Sequence, residues 1–122
     1  LRVIAQLKAH FPIEIKATFL GAHALPQAYK ENRVGYIDLL VNDILPQIAQ
    51  ENLADYIDVF CERNYFTCEE MSQILEAGAK YGLKPKVHVN QFSVLGGVPA
   101  AIQKKAFRST TSKNSTKTTS ML

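Results

Sequence analysis

The hydrophobic pattern alternates between helical stretches and short strand-like runs. Apolar residues recur at helical spacing in residues 1–10, between Tyr36 and Ile48, and after Thr67. Runs rich in β-branched and aromatic residues lie at residues 13–19, 56–62 and 84–91. Since single helices connect the strands, the pattern predicts a parallel α/β sheet with right-handed connections.

Two prolines, one glycine and a capping pair predict where these helices begin and end. Pro12 ends the first helix, and Pro46 either kinks the second helix or divides it into two pieces. Thr67 and Glu70 have the spacing of a capping box, which would open the third helix. Gly82 is placed to end that helix in a left-handed cap.

The run from Lys84 to Gln91 combines buried and polar positions. Val87 and Val89 suit a buried strand, whereas His88 and Gln91 bring polar groups to its carboxyl end. In parallel α/β proteins, ligands bind at the carboxyl ends of strands. His88 is therefore a candidate for binding a metal or a substrate, and the alternative is a core histidine satisfied by hydrogen bonds.

Other polar residues also fall near predicted strand ends. His23 lies in a small-residue turn after the first strand, where we expect it to be exposed, either as a functional histidine or as an ordinary loop residue. Asp58 and Glu62 are interpreted as solvated or capping acids.

Length and composition indicate a globular protein that is part of a larger fold. The chain has 122 residues, of which 47% are hydrophobic and 20% charged. Three strands are too few to close a barrel, so we expect a slice of a larger α/β domain. No apolar run approaches membrane-spanning length, and no membrane partner is expected.

Charge and cysteine content limit the classes of binding partner and the cellular compartment that we expect. Residues 1–106 hold 11 Lys and Arg and 11 Asp and Glu, so the net charge of +3 comes from the tail. Because residues 1–106 have no net charge, we expect no basic surface there that would bind nucleic acid. Cys61 and Cys68 match neither a redox pair nor a zinc ribbon, and we expect reduced thiols in a cytoplasmic protein.

Several segments of residues 1–106 resemble the imidazolonepropionases, which belong to the metal-dependent amidohydrolases. The segments are residues 18–26 (Thr-Phe-Leu-Gly-Ala-His-Ala-Leu-Pro), 36–39 (Tyr-Ile-Asp-Leu), 57–62 (Ile-Asp-Val-Phe-Cys-Glu), 86–92 (Lys-Val-His-Val-Asn-Gln-Phe) and 95–97 (Leu-Gly-Gly). The resemblance implies a (β/α)8 TIM barrel, of which this chain would supply about three parallel βα units, barrel strands three to five.

The resemblance also implies roles for three residues. His88 matches the family's histidine that ligates a single zinc or iron ion, and His23 matches a histidine that contacts the substrate. Gln91 falls where many members carry a glutamate that helps to position the substrate. An amide cannot act as a general base, although it can still form hydrogen bonds. No catalytic residue is therefore assigned within this chain.

The implied reaction is hydrolysis of the small molecule imidazolone-5-propionate to N-formimino-glutamate, a step of histidine degradation. In the family, a histidine pair on strand one, a histidine on strand six and an aspartate on strand eight complete the site. None of these is present here, so we expect the chain alone to be inactive. We expect the complete enzyme to form a homodimer.

Two alternative functions remain open at this point. One is another amidohydrolase, a cyclic amidase or deaminase that acts on a different ring. The other is a non-catalytic binding module whose basic tail contacts nucleic acid or an acidic partner.

The tail at residues 107–122 is rich in Ser, Thr and Lys, and composition predicts disorder there. A sharper hypothesis is a frameshift near Ala106 and Phe107. With suitable codons, reading from the third base of the Arg108 codon gives Val-Asp-His-Leu-Glu, which resembles the strand-six motif of the family.

Overall fold

The computed structural model describes residues 1–89 and the backbone of Arg108–Thr110. The helices are α1 (Arg2–His10), α2 (Arg33–Leu39), α3 (Leu45–Gln50) and α4 (Cys68–Lys80), with a short 3-10 turn at Gln27–Tyr29. The strands are β1 (Thr18–Ala22), β2 (Tyr56–Cys61), β3 (Lys84–Val89) and β4 (Arg108–Thr110).

The strands form one sheet in the order β1-β2-β3-β4, and every neighbouring pair is parallel. The three predicted strands and their parallel pairing are confirmed, as expected for part of a βα barrel repeat. β4 comes from the tail: Thr110 pairs with His88, and Arg108 pairs with Lys86.

The predicted bounds of the first strand were wrong. The run at residues 13–19 suggested a strand, but β1 begins only at Thr18, which pairs with Tyr56. The amide of Ala17 donates to the Asp55 carboxylate at 2.7 Å, which anchors the chain just before the strand. Ile13 is 65% exposed, so a β-branched residue alone does not make a strand without a partner strand.

Pro46 neither ends the second helix nor divides it with a loop. A π-helical segment, Leu40–Ile44, connects α2 directly to α3, and Pro46 lies in the first turn of α3. Proline cannot donate to the preceding turn and its ring clashes with the carbonyl four residues earlier. A π segment at this point is one of the known ways in which a helix accommodates such a disruption.

One face of the sheet carries the core. Because side chains alternate along a strand, Ile57, Val59, Val87 and Val89 share a face and are buried. They pack against apolar residues of the helices, namely Tyr36, Ile37, Leu40, Leu45, Ile48, Met71, Ile74 and Leu75. Burying each large aliphatic side chain contributes about 1.5–3 kcal/mol, so this face holds the fold together.

Helix α4 begins and ends as its sequence predicts. The Thr67 hydroxyl accepts from the Glu70 amide at 3.1 Å, and the Glu70 carboxylate accepts from the Thr67 amide at 2.9 Å. Glu70 also receives two hydrogen bonds from the Arg33 guanidinium, at 2.5 and 2.7 Å, which tie α4 to α2. Gly82 follows the helix with a φ of 76°, the left-handed cap that was expected.

Within residues 1–89 and the short strand β4, no helix has the length and apolar character needed to span a membrane.

Candidate metal centre

Asp58 lies near the middle of β2, on the sheet face away from the core helices. Its neighbours in the chain, Ile57 and Val59, face the helices, so Asp58 shares the other face with Phe60. Asp58 is only 5% exposed. A buried carboxylate requires compensating partners, and both of the closest partners are histidines.

His88 on β3 is the first partner. It pairs directly with Phe60 in the register, which places it diagonally from Asp58 on the same face. Its Nδ1 lies 3.0 Å from Oδ1 of Asp58. Because an ionised carboxylate only accepts, Nδ1 carries the proton and donates it in this hydrogen bond.

His23 follows β1 and approaches the same carboxylate from the neighbouring strand. Its Nε2 lies 3.4 Å from Oδ1 of Asp58, and this buried nitrogen has no hydrogen-bond partner among the described residues. The His23 ring stacks on Phe60, with centroids 6.0 Å apart, and meets the His88 ring edge-on at 5.2 Å. The turn was expected to expose His23, but 69% of the side chain is buried, since its exposed fraction is 31%.

The electrostatics of the cluster keep the carboxylate charged. Burial by itself raises the pKa of Asp58, but its interactions with the nearby imidazoles of His23 and His88 outweigh burial, and the net pKa is lowered. Asp58 is therefore ionised at neutral pH. It presents a negative charge to two imidazole rings at the carboxyl end of the sheet.

His23, Asp58 and His88 together offer ligand atoms suited to a transition metal. One atom from each residue lies within 4.8 Å of the others. Two imidazoles and one carboxylate are donors that zinc and iron accept. The unpartnered, buried Nε2 of His23 also fits a site where a cation is bound, so the residues present are compatible with a metal ion.

The structure brings two of the three sequence-predicted site residues together. His23 and His88 meet across Asp58, whereas Gln91 lies outside the described residues. Asp58 was missed, since it was interpreted as an ordinary solvated or capping acid. The alternation of side chains along β2 and β3 places Asp58 and His88 on one face of the sheet. This alternation was the sequence signal that could have identified Asp58 as a site residue.

The two cysteines lie close together at the end of β2 and the start of α4. Cys61 ends β2 and Cys68 begins α4, and their Sγ atoms are 3.3 Å apart as thiols. Their assignment as reduced structural cysteines stays a prediction.

Comparison with known proteins gives one consistent relationship. No family model matches the chain. The imidazolonepropionase of Flavobacterium psychrophilum is 59% identical over 106 residues, which is 87% of this chain and 26% of that protein. Imidazolonepropionases of Flavobacterium johnsoniae and Christiangramia forsetii are 57% and 48% identical over 84% and 87% of this chain, and 25% and 26% of their own lengths.

The chain spans about a quarter of the length of the curated relatives that it matches. These relatives carry one name, and the parallel α/β sheet described above agrees with a partial barrel. The chain is therefore a homologue of the imidazolonepropionases that corresponds to about a quarter of their length.

Proposed function

We propose that this chain is a segment of an imidazolonepropionase, a hydrolase that opens the ring of imidazolone-5-propionate to N-formimino-glutamate during histidine degradation. The observation that carries the proposal is the 59% identity over 106 residues to an enzyme of that name. The meeting of His23, Asp58 and His88 at the carboxyl end of a parallel sheet supports it.

Within this proposal, His88 is the metal ligand, and His23 with Gln91 binds the substrate. The proximity of the His23 and His88 rings, 5.2 Å between centroids, supports placing substrate and metal side by side. A half-buried imidazole with an unpartnered nitrogen suits hydrogen bonding to a polar ring. For Gln91 the support is the resemblance of its segment to the family.

The proposed cofactor is one zinc or iron ion, which both fit a donor set of imidazole and carboxylate. When bound, the ion supplies Lewis acidity, which polarises a carbonyl and makes water more acidic. The chain contributes only some of the ligands that the family uses, so we expect the chain alone to show no turnover. The proposed partner is the small-molecule substrate, with no nucleic acid or membrane partner, and a homodimer is the proposed state of the complete enzyme.

A cytoplasmic location is part of the proposal. Its support is the pair of thiols at Cys61 and Cys68, which lie 3.3 Å apart without being joined. Closely spaced reduced cysteines are typical of a reducing compartment.

The proposal is tested by transplanting this segment into a complete relative. In the Flavobacterium psychrophilum protein, the 106 matched residues are replaced by those of this chain, and hydrolysis of imidazolone-5-propionate is measured. We expect activity in the chimera, and a loss of at least 100-fold in the chimera with His88→Ala. Asp43→Asn, at an exposed position of the π-helical segment Leu40–Ile44, is the matched control.

An inactive but folded chimera would argue against this function, and activity only on a different cyclic amide would support another amidohydrolase. A chimera whose activity survives His88→Ala would contradict the proposed metal ligand. The isolated chain is assayed in parallel, and turnover there would contradict the incomplete site.

We further propose that residues 107–122 result from a frameshift. The support is that β4 adds to the sheet beside β3, where the next barrel strand is expected, with Thr110 opposite His88. In the shifted frame, a histidine codon would span Thr110 and Thr111. Sequencing the coding DNA decides this, because codons at Ser109–Lys113 that do not encode Asp-His-Leu-Glu in that frame would refute it.

A further inference from the structure

We propose that Asp58 is a positioning residue that holds His88 in the tautomer with the proton on Nδ1, and that the same carboxylate oxygen positions His23. The tautomer assignment stands on the geometry of this chain. Its consequence for metal binding rests on the function proposed above.

Asp58 is held rigidly enough for this role. It lies on β2, where it pairs with Lys86 of β3, and its chain neighbours Ile57 and Val59 pair with β1 on the other side. Its side chain is 93% buried, since its exposed fraction is 7%. The carboxylate oxygen that faces the histidines therefore has a defined position relative to both of their strands.

The contact with His88 determines where the ring proton lies. A neutral imidazole carries one proton, and the nitrogen that donates to a strong acceptor keeps it. Nδ1 of His88 is 3.0 Å from Oδ1 of Asp58, so the proton is on Nδ1 and the lone pair is on Nε2. Carboxylates that accept from the second nitrogen of a ligating histidine fix its orientation and raise its basicity in this way.

Lys86, the cation opposite Asp58 in the register, makes its contacts elsewhere. Lys86 pairs with Asp58, but its ammonium lies 3.1 Å from the Thr18 hydroxyl and 4.0 Å above the Tyr56 ring. Among the described residues, the imidazoles of His23 and His88 lie within 4 Å of the Asp58 carboxylate. Its negative charge is therefore directed at the two histidines.

His23 is positioned by the same oxygen and by an aromatic ring. Its Nε2 is 3.4 Å from Oδ1 of Asp58, a polar contact longer than an ordinary hydrogen bond. Phe60 stacks on the His23 ring with an interplanar angle of 20° and lies edge-on to His88 at 6.3 Å. The Asp58 carboxylate and the Phe60 ring thus fix the positions of both imidazole rings.

The first test measures the tautomer without any metal. The full 122-residue chain is labelled with ¹⁵N histidine, treated with a chelator and examined at about pH 8, above the ordinary pKa of histidine. Long-range ¹H–¹⁵N correlations identify the protonated nitrogen. We expect His88 in the Nδ1-H form, and an Nε2-H form on the ring of the wild-type chain would overturn the proposal.

The Asp58→Asn variant should change the tautomer of His88. The amide is neutral and can turn its NH2 group toward Nδ1, which would favour the proton on Nε2 of His88. We expect a mixed or reversed tautomer. His10 is the internal reference, because its Nδ1 donates to the Gln6 carbonyl within α1 at 2.7 Å and not to a carboxylate. Asp43→Asn is the control for loss of one surface carboxylate, and an unchanged His88 in folded Asp58→Asn would overturn the proposal.

The second test measures zinc affinity of the same chains by titration. We expect Asp58→Asn to weaken zinc binding about 10- to 100-fold, the range typical of lost outer-shell partners, and His88→Ala to abolish saturable binding. If Asp58→Asn abolishes binding while the His88 tautomer is unchanged, Asp58 is itself a ligand and the positioning role is wrong. If His88→Ala binds zinc as well as wild type, the proposed metal ligand fails, whereas the tautomer result stands separately.

Two further outcomes are also decisive. If Asp58→Asn does not fold, the wild-type tautomer alone supports or overturns the proposal. If the wild-type chain binds no zinc, the proposal likewise depends on the metal-free tautomers of the wild type and of Asp58→Asn.

Discussion

The hydroxyl of Tyr36 on α2 donates a hydrogen bond to the carbonyl of Gly21 on β1 at 2.6 Å. Tyr36 is buried, with 7% of its surface exposed, and burial raises the pKa of its hydroxyl. Gly21 lies two residues before His23 in the chain. The bond therefore connects the core helix to the strand whose end carries a candidate site residue.

Tyr36→Phe should lower the free energy of unfolding by about 1 kcal/mol, because it leaves the Gly21 carbonyl without this donor in a partly buried setting. Tyr81→Phe is the matched control, since Tyr81 is 42% exposed just after α4. Urea denaturation of both variants measures the difference. Equal stabilities of the two variants would show that the Tyr36 bond contributes nothing net.

Glu70 makes stability depend on pH in the acid range. Burial opposes ionisation of Glu70, but hydrogen bonds from Arg33 and from the Thr67 amide outweigh it, so the pKa of Glu70 is lowered from 4.5. A carboxyl with a lowered folded-state pKa contributes stability above its unfolded pKa, and this is lost as pH falls through the folded value. The contribution should therefore be complete at neutral pH and decline below about pH 4.5.

Glu70→Gln keeps a residue able to form the capping box but removes the charge. We expect it to lower the free energy of unfolding by about 1 kcal/mol at neutral pH and to flatten the loss of stability on acidification. Glu31→Gln, at an exposed position, is the control. Thermal unfolding across a pH series measures the stability of both variants. Parallel pH profiles for Glu70→Gln and wild type would show that Glu70 does not cause the pH dependence.

Cys61 and Cys68 should differ sharply in reactivity. Burial and the hydrogen bond with Cys68 raise the pKa of the Cys61 thiol to about 12, so almost no thiolate is present near neutral pH. Cys68 is half-buried and lines a surface cavity with Arg63 and Glu69. Alkylation by iodoacetamide, followed by peptide mass analysis, should modify Cys68 first and Cys61 only under denaturing conditions.

Cys68→Ser and Cys61→Ser identify the reacting thiol. The native Cys68→Ser chain should resist alkylation, and the Cys61→Ser chain should react at close to the wild-type rate. Rapid modification of Cys61 in the folded chain would contradict its burial.

Gly82→Ala should destabilise the chain through its backbone alone. The φ of Gly82 is 76°, and an added Cβ would meet nothing within 4 Å. The cost of placing alanine in the left-handed region is about 1–2 kcal/mol. Gly82→Asn should cost less, because asparagine tolerates this region better, and equal losses in urea denaturation would argue against a purely conformational cause.

Local chemistry made much of the fold predictable. The bounds of α4 followed from Thr67, Glu70 and Gly82, because capping hydrogen bonds and a left-handed cap involve residues only a few positions apart. The predicted strands at residues 56–62 and 84–91 correspond to β2 and β3 for the same reason, since alternation and β-branched residues are local signals. Gln91 and most of the tail remain predictions, since they lie outside the described residues.

Only the tertiary structure decided the features that depend on residues far apart in the chain. The start of β1 is set by pairing with β2, so the apolar run at residues 13–19 gave the wrong bounds. His23 and His88 were candidates from the sequence, but Asp58 joins them because the pairing of three parallel strands brings their carboxyl ends together. A sequence shows which groups are available for chemistry, whereas strand pairing determines which of them share a charge and a proton.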